Sequence, residues 1–162
     1  MDSSSKVVLV GDAGVGKTSF LRMVRDREYK IYGPTEGADV IEIRAEGKRL
    51  EVWDCGGRYV GLKEGYWIGA KVAVVMFSID SVQSWVRVKK WINEVQAVCG
   101  NIPVIIVGTK ADRSTVQVDK GMVARGLFAL RKNHKTLRYA ECSAKIGYGC
   151  DSVIELVSKC LS

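Results

Sequence analysis

The chain has 162 residues, 47% hydrophobic and 27% charged, which allows one domain with a proper core and excludes a disordered or fibrous protein. No apolar run approaches the roughly 20 residues that cross a bilayer, and Met1–Ser5 is polar, without the apolar stretch of a secretory signal. Lys and Arg number 25 against 18 Asp and Glu, a net charge of +7 that attracts polyanions or acidic proteins without choosing among them.

Apolar β-branched runs alternate with helix-period segments along residues 1–162, and no linker or repeat divides them. Lys6–Val10 is the first expected strand, followed by a helix that starts in a glycine-rich loop and runs to about Asp26. Val40–Ala45 and Arg49–Trp53, joined by Glu46-Gly47-Lys48, form a hairpin pattern. Val72–Phe77 and Val104–Val107 are near-continuous apolar runs, as strands covered on both faces require. Val82–Val98 between them has helical spacing. Met122–Lys132 predicts a further helix, Leu137–Ala140 a last strand, and Asp151–Leu161 a closing helix with Asp151 as its N-cap. Alternating β and α elements imply an α/β fold with a mostly parallel sheet between helical layers, and ligands beyond the carboxyl ends of the strands.

The motifs fall at those ends. Gly11-Asp12-Ala13-Gly14-Val15-Gly16-Lys17-Thr18 matches GxxxxGK[ST] between a strand and a helix. Such a loop turns backbone N–H groups inward at a helix N-terminus, where phosphate is favoured. Lys17 is expected to reach the β- and γ-phosphates and the Thr18 hydroxyl to ligate Mg²⁺. Asp54, in Val52-Trp53-Asp54-Cys55-Gly56-Gly57, suits a partner that holds the ion through water, and the Gly57 N–H can approach a γ-phosphate. The bland alternatives are a glycine-rich turn and an acidic strand end.

A phosphate loop does not name the base. Thr109-Lys110-Ala111-Asp112 follows the Val104 strand, and a buried carboxylate at Asp112 would accept from the guanine N1–H and exocyclic amine. Adenine lacks that donor pair and would leave the carboxylate unpaired. The Lys110 stem can lie across the base. Glu141-Cys142-Ser143-Ala144-Lys145 supplies a second base contact through the Ala144 N–H.

From residue 6 to about 161 the sequence resembles a Ras-superfamily small GTPase, carried by the phosphate loop, Asp54–Gly57, Thr109–Asp112 and Ser143–Lys145 in that order. The resemblance implies a three-layer P-loop NTPase fold with a six-stranded, mostly parallel sheet and about five helices. It implies GTP or GDP with Mg²⁺ as cofactors, held by Asp12 through Ser19, Tyr29, Tyr32, Thr35, Gly57, Thr109, Lys110, Asp112, Ser143, Ala144 and Lys145. Thr35 would join Thr18 and Asp54 at the metal and, with Gly57, respond to the γ-phosphate. Regulators and effectors would dock on Thr35–Ala38 and Arg58–Trp67. Glu36 departs from the apolar residue common at its place.

Gly61–Ile68, Asn101-Ile102-Pro103-Val104 and the basic run Leu130–Lys135 with Leu137-Arg138-Tyr139 are similar to the Ran branch. Acidic transport receptors would suit the +7 charge, and a monomer and no direct contact with nucleic acid are expected. Thr109, where the Ran branch has asparagine, is usual in the Rho branch, so a Rab- or Rho-like protein is the alternative. Cys160 is followed by only Leu161 and Ser162, so a CaaX lipidation signal fails by one position. Five cysteines without CxxC spacing, beside the single His134, argue against zinc and for reduced thiols in the cytoplasm or nucleus.

The largest departure follows Gly57. Relatives place there a glutamine that orients the attacking water; this chain has Arg58-Tyr59-Val60-Gly61. Arginine has no acceptor for that water's proton, although it can neutralise γ-phosphate charge. The catalytic set is therefore Lys17, Thr35, Gly57 and Arg58, with slow hydrolysis expected. A decoy that holds nucleotide without cycling is a second reading, and a small-molecule kinase a third that the Thr109–Asp112 and Ser143–Lys145 pair opposes. Trp53, Trp67, Trp85 and Trp91 suit core or interface anchors.

Overall fold

The computed structural model describes residues 3–27, 38–55 and 63–162. Six strands form one sheet: β1 (Ser5–Gly11), β2 (Ala38–Ala45), β3 (Lys48–Cys55), β4 (Val72–Ser78), β5 (Val104–Thr109) and β6 (Leu137–Glu141). Their order across the sheet is β2-β3-β1-β4-β5-β6, with only the β2–β3 pair antiparallel. The helices are α1 (Lys17–Asp26), α2 (Lys63–Trp67), α3 (Val82–Val86), α4 (Val88–Cys99), α5 (Lys120–Leu130) and α6 (Cys150–Cys160). Because Arg87 alone parts α3 from α4, they form one bent arm, and the architecture is the α/β small G domain expected.

Alternation along β1 divides the core. Val7 and Leu9 pack with Phe20, Leu21 and Val24 of α1 and Val153 and Val157 of α6 on one face. Val8 and Val10 pack with Trp67, Trp91, Ile92, Val123 and Leu127 on the other. Every residue of β4 and β5 is buried, which explains why both appear in the sequence as unbroken apolar runs. Among the described residues no helix is long and apolar enough to cross a membrane.

Three local expectations are corrected. The helix expected over Val82–Val98 breaks at Arg87, whose guanidinium reaches across to the loop after β1 (Arg87 Nη1–Asp12 Oδ2, 3.6 Å). Helix α5 begins two residues before Met122 because Asp119 caps it, accepting from the Met122 N–H at 2.9 Å. Asp151 is not an N-cap. Gly149 takes that place in a left-handed conformation (φ 73°), since a Cβ there would lie 2.4 Å from the Glu141 carbonyl oxygen. Asp151 instead sits in the first turn of α6 and pairs with Arg27 at 2.7 Å.

The α3–α5 contact is tight enough to test. A Cβ on Gly126 of α5 would lie 2.3 Å from Cζ2 of Trp85, a half-buried ring that also packs on Phe77 at 4.8 Å between centroids. Gly126→Ala gains helix propensity yet is expected to lose about 1–3 kcal/mol by overpacking. A denaturant midpoint at or above that of the parent would show that the Trp85 ring moves aside freely.

Candidate functional site

The site lies where β1 has β3 on one side and β4 on the other, the reversal point of the sheet. Parallel register sets Gly11 beside Met76 and Leu9 beside Asp54. Gly11 must be glycine: a Cβ there would lie 2.3 Å from the Met76 carbonyl oxygen. The loop then passes into α1 and buries Lys17 to 6% exposure.

Lys17 Nζ donates to the carbonyls of Gly11 at 2.8 Å and Asp12 at 2.9 Å, which fixes the ammonium inside the curve of the loop. Burial lowers its pKa, and the neighbouring Asp54 and Asp12 carboxylates oppose that shift. Asp54, 1% exposed at the end of β3, has the mirror-image problem. Burial raises its pKa, opposed first by the Thr18 hydroxyl, which donates to Oδ2 at 2.5 Å, and then by Lys17.

Thr18 and Asp54 thus meet as expected, and they fit a magnesium ion. Both are hard oxygen donors, a hydroxyl can donate its proton to a carboxylate while its oxygen coordinates, and Asp54 Oδ1 is buried without a hydrogen-bond partner. Thr18 would bind the ion directly and Asp54 through water.

Asp12 takes part in the loop through its backbone. Its carboxylate is drawn away by α4: Trp91 Nε1 donates to Oδ1 at 2.9 Å, beside Arg87. An anion is thereby kept off the phosphate-binding curve. Trp91 also meets Trp67 of α2 edge-on at 6.4 Å, linking the loop to α2. Sequence reasoning placed Trp91 as an anchor and missed this bond. The available signal was an anion inside a phosphate loop, together with the need of a buried indole N–H for an acceptor.

The second half of the site is a cavity of about 190 Å³. Of the expected residues, Val15, Gly16, Ser19, Thr109, Lys110, Asp112, Ala144 and Lys145 line it; Phe20, Arg113 and Cys142 complete it and were not anticipated. Thr109 Oγ1 lies 2.5 Å from the Val15 carbonyl and 3.0 Å from that of Phe77, so β5 is tied to the phosphate loop. Lys110 holds a left-handed backbone (φ 60°) and donates to the Gly14 carbonyl at 3.0 Å, crossing the mouth.

Asp112 departs from expectation by being exposed, not buried. It stands at the open rim, where burial would come with an occupant. Ser143 Oγ donates to its Oδ1 at 2.6 Å, and that bond, first among the causes, holds its pKa below the usual carboxylate range. Ser143 is wholly buried and held by its own N–H on the Tyr148 carbonyl at 2.8 Å. The β6–α6 loop thus aims the carboxylate of the loop after β5.

Tyr29, Tyr32, Thr35, Glu36, Gly57 and Arg58 lie outside the described residues, as does most of the expected regulator surface. Among the described residues no group of three or more His, Cys, Asp or Glu could hold a metal, so the Thr18–Asp54 pair is the magnesium candidate on geometry.

A family model described as Ras family matches residues 6–162, nearly the whole chain and every motif described above. The chain belongs to the Ras family, small GTPases that switch between GTP- and GDP-bound forms with Mg²⁺.

Proposed function

We propose that this chain is a Ran-like guanine-nucleotide switch that turns GTP over slowly and works as a monomer in the cytoplasm or nucleus. The observation that carries the guanine site is the Ser143–Asp112 bond, which presents an ionised carboxylate at the rim of a cavity continuous with the Lys17 loop. Phosphates would lie against the loop amides and Lys17, and the base between Lys110 and Lys145, with the Ala144 N–H beside it. Retention of GTP and GDP over ATP and ADP by the purified protein tests this reading; equal retention would sink it.

Slow turnover is supported by Arg58-Tyr59-Val60-Gly61, where a water-orienting glutamine is absent. Arg58→Gln is expected to raise single-turnover hydrolysis about tenfold or more, within the range one positioned acid–base or water-orienting group supplies. A parent already as fast as glutamine-bearing relatives would overturn slow turnover. A variant with the parental rate would overturn its attribution to Arg58.

The Ran-like assignment draws on Gly61–Ile68, Asn101–Val104 and the basic segment after α5. Arg131 of that segment donates to the Leu137 carbonyl at 3.3 Å, while Lys132, packed over the Phe128 ring, Lys135 and Arg138 are exposed and would face an acidic transport receptor. Thr109 favours a Rho-like second reading, since its hydroxyl makes the Val15 bond where the Ran branch carries an amide. Salt-sensitive binding of an acidic receptor, lost on charge reversal at Lys132 and Lys135, separates the two.

A further inference from the structure

We propose that the cleft between the α3–α4 arm and α5 is a second ligand site, built to take a small amphipathic monocarboxylate such as an aromatic acid. It lies apart from the nucleotide site, since none of the residues that line the base cavity lines this cleft. The inference goes beyond the guanine-site reading and does not rest on it.

The cleft has a volume of about 350 Å³, against about 190 Å³ for the base cavity. That falls within the range of about 300–1,000 Å³ that small-molecule pockets occupy. One wall is the Trp85 ring, packed on Phe77 at 4.8 Å between centroids and against Gly126, where an added Cβ would lie 2.3 Å from Cζ2. Leu130, at the end of α5, supplies further apolar surface. The chain then turns back on itself. The Asn133 and His134 N–H groups both donate to the Leu130 carbonyl, at 3.1 and 3.0 Å, and both residues line the cleft. Lys89 and Asn93, one helical turn apart on α4, join them.

His134 separates this cleft from a mere packing gap. The residue is 9% exposed, and its Nδ1 is buried without a hydrogen-bond partner. Buried polar side-chain atoms are nearly always bonded, so an unpaired one on a cavity wall calls for an account. Burial, and then Lys89, hold the ring's pKa below 6.5, so at pH 7 it is neutral and carries one N–H. Buried N–H groups go unpaired more rarely than lone pairs, which assigns the proton to Nε2 and leaves that N–H for an acceptor.

Charge and shape then select the ligand. Among the described residues that line the cleft Lys89 alone is charged, which matches one negative charge and leaves a phosphate dianion under-compensated. A carboxylate presents two acceptor oxygens, enough for the Lys89 ammonium and the His134 N–H together. The Asn93 and Asn133 carboxamides can donate to the same oxygens or to a hydroxyl on the ligand. An apolar body of ring size suits the Trp85 and Leu130 surfaces.

The test titrates the full chain, with GDP and Mg²⁺ present, with naphthalene-2-carboxylate and with the uncharged naphthalene-2-carboxamide. Calorimetry gives the affinities, and NMR follows the His134 ring and the asparagine side-chain amides. The expected result is one carboxylate per protein, with shifts at His134, Asn93 and Asn133. The carboxamide should bind at least about tenfold more weakly, as the loss of a charge-assisted hydrogen bond gives. Lys89 is exposed, so Lys89→Glu should fold as the parent does. It is expected to weaken the carboxylate about tenfold or more and to leave the carboxamide unchanged. Ala129→Phe, at another exposed position on the cleft, is expected to abolish binding of both probes by filling it. No binding, equal affinity for the two probes, or parental affinity in Lys89→Glu would overturn the proposal. Shifts confined to Val15, Thr109 and Ala144 would put the acid in the base cavity and overturn it too. An acidic peptide that shifts the cleft resonances where the naphthalene acid does not would overturn the small-molecule assignment in favour of a partner's side chain.

Discussion

Asp112→Asn is expected to weaken GDP binding by about 10²- to 10⁴-fold and to create a preference for xanthosine diphosphate. The carboxylate offers only acceptors, and guanine presents two adjacent donors. Asparagine keeps one acceptor and turns the other position into an N–H₂ donor, which faces the guanine amine unproductively. Xanthine has a carbonyl in place of that amine and restores both bonds. The local frame makes the exchange clean, because Ser143 Oγ donates to Oδ1 at 2.6 Å and an amide oxygen at that place still accepts from it. Ser143→Ala is expected to move in the same direction by less, since the carboxylate stays but loses the bond that depresses its pKa and fixes its angle. Competition of fluorescent GDP by the two unlabelled diphosphates reads the result. Unchanged GDP affinity in Asp112→Asn would remove Asp112 from base recognition and sink the guanine site with it.

Legibility in the sequence followed how local each constraint is. The buried strands were plain because a parallel strand covered on both faces allows little but Val, Ile and small residues, and β4 and β5 obey that throughout. The phosphate loop was plain because Gly11, Lys17 and Thr18 answer a backbone geometry that few residues satisfy. What escaped depends on contacts between distant segments. Arg87 breaks the long helix beside a carboxylate 75 positions earlier, and Trp91 reaches the same carboxylate. The N-cap of α6 was misplaced by two residues, because Asp151 has the chemistry of a cap, whereas the chain's passage past Glu141 demands glycine at 149. Asp112 was expected buried because the argument concerned the bound base; the chain alone leaves that carboxylate at the rim.

Asp54→Asn is expected to stabilise the metal-free protein at neutral pH by about 1 kcal/mol while weakening magnesium-dependent nucleotide retention by about 10- to 100-fold. The carboxylate is buried with one oxygen on Thr18 and the other without a partner, and burial raises its pKa above 3.8. The folded state therefore holds a proton more tightly than the unfolded chain. The stabilisation this confers is complete below 3.8 and is lost as pH rises through the raised folded value, so at pH 7 the ionised group weakens the fold. Asparagine keeps the shape and the acceptor and removes the charge. Part of the gain is offset at Lys17, already lowered by burial, which loses the opposing charge that supports its ammonium. A gain near 1 kcal/mol corresponds to about 2–4 °C for a domain of this size. Thermal unfolding in EDTA should show Asp54→Asn above the parent at pH 7, with the gap closing on acidification as the parental carboxyl is protonated. Titration of GDP release with Mg²⁺ should show the opposite ranking. A variant less stable than the parent in EDTA would mean that the Lys17–Asp54 attraction outweighs desolvation. An unchanged magnesium dependence would remove Asp54 from the ion altogether.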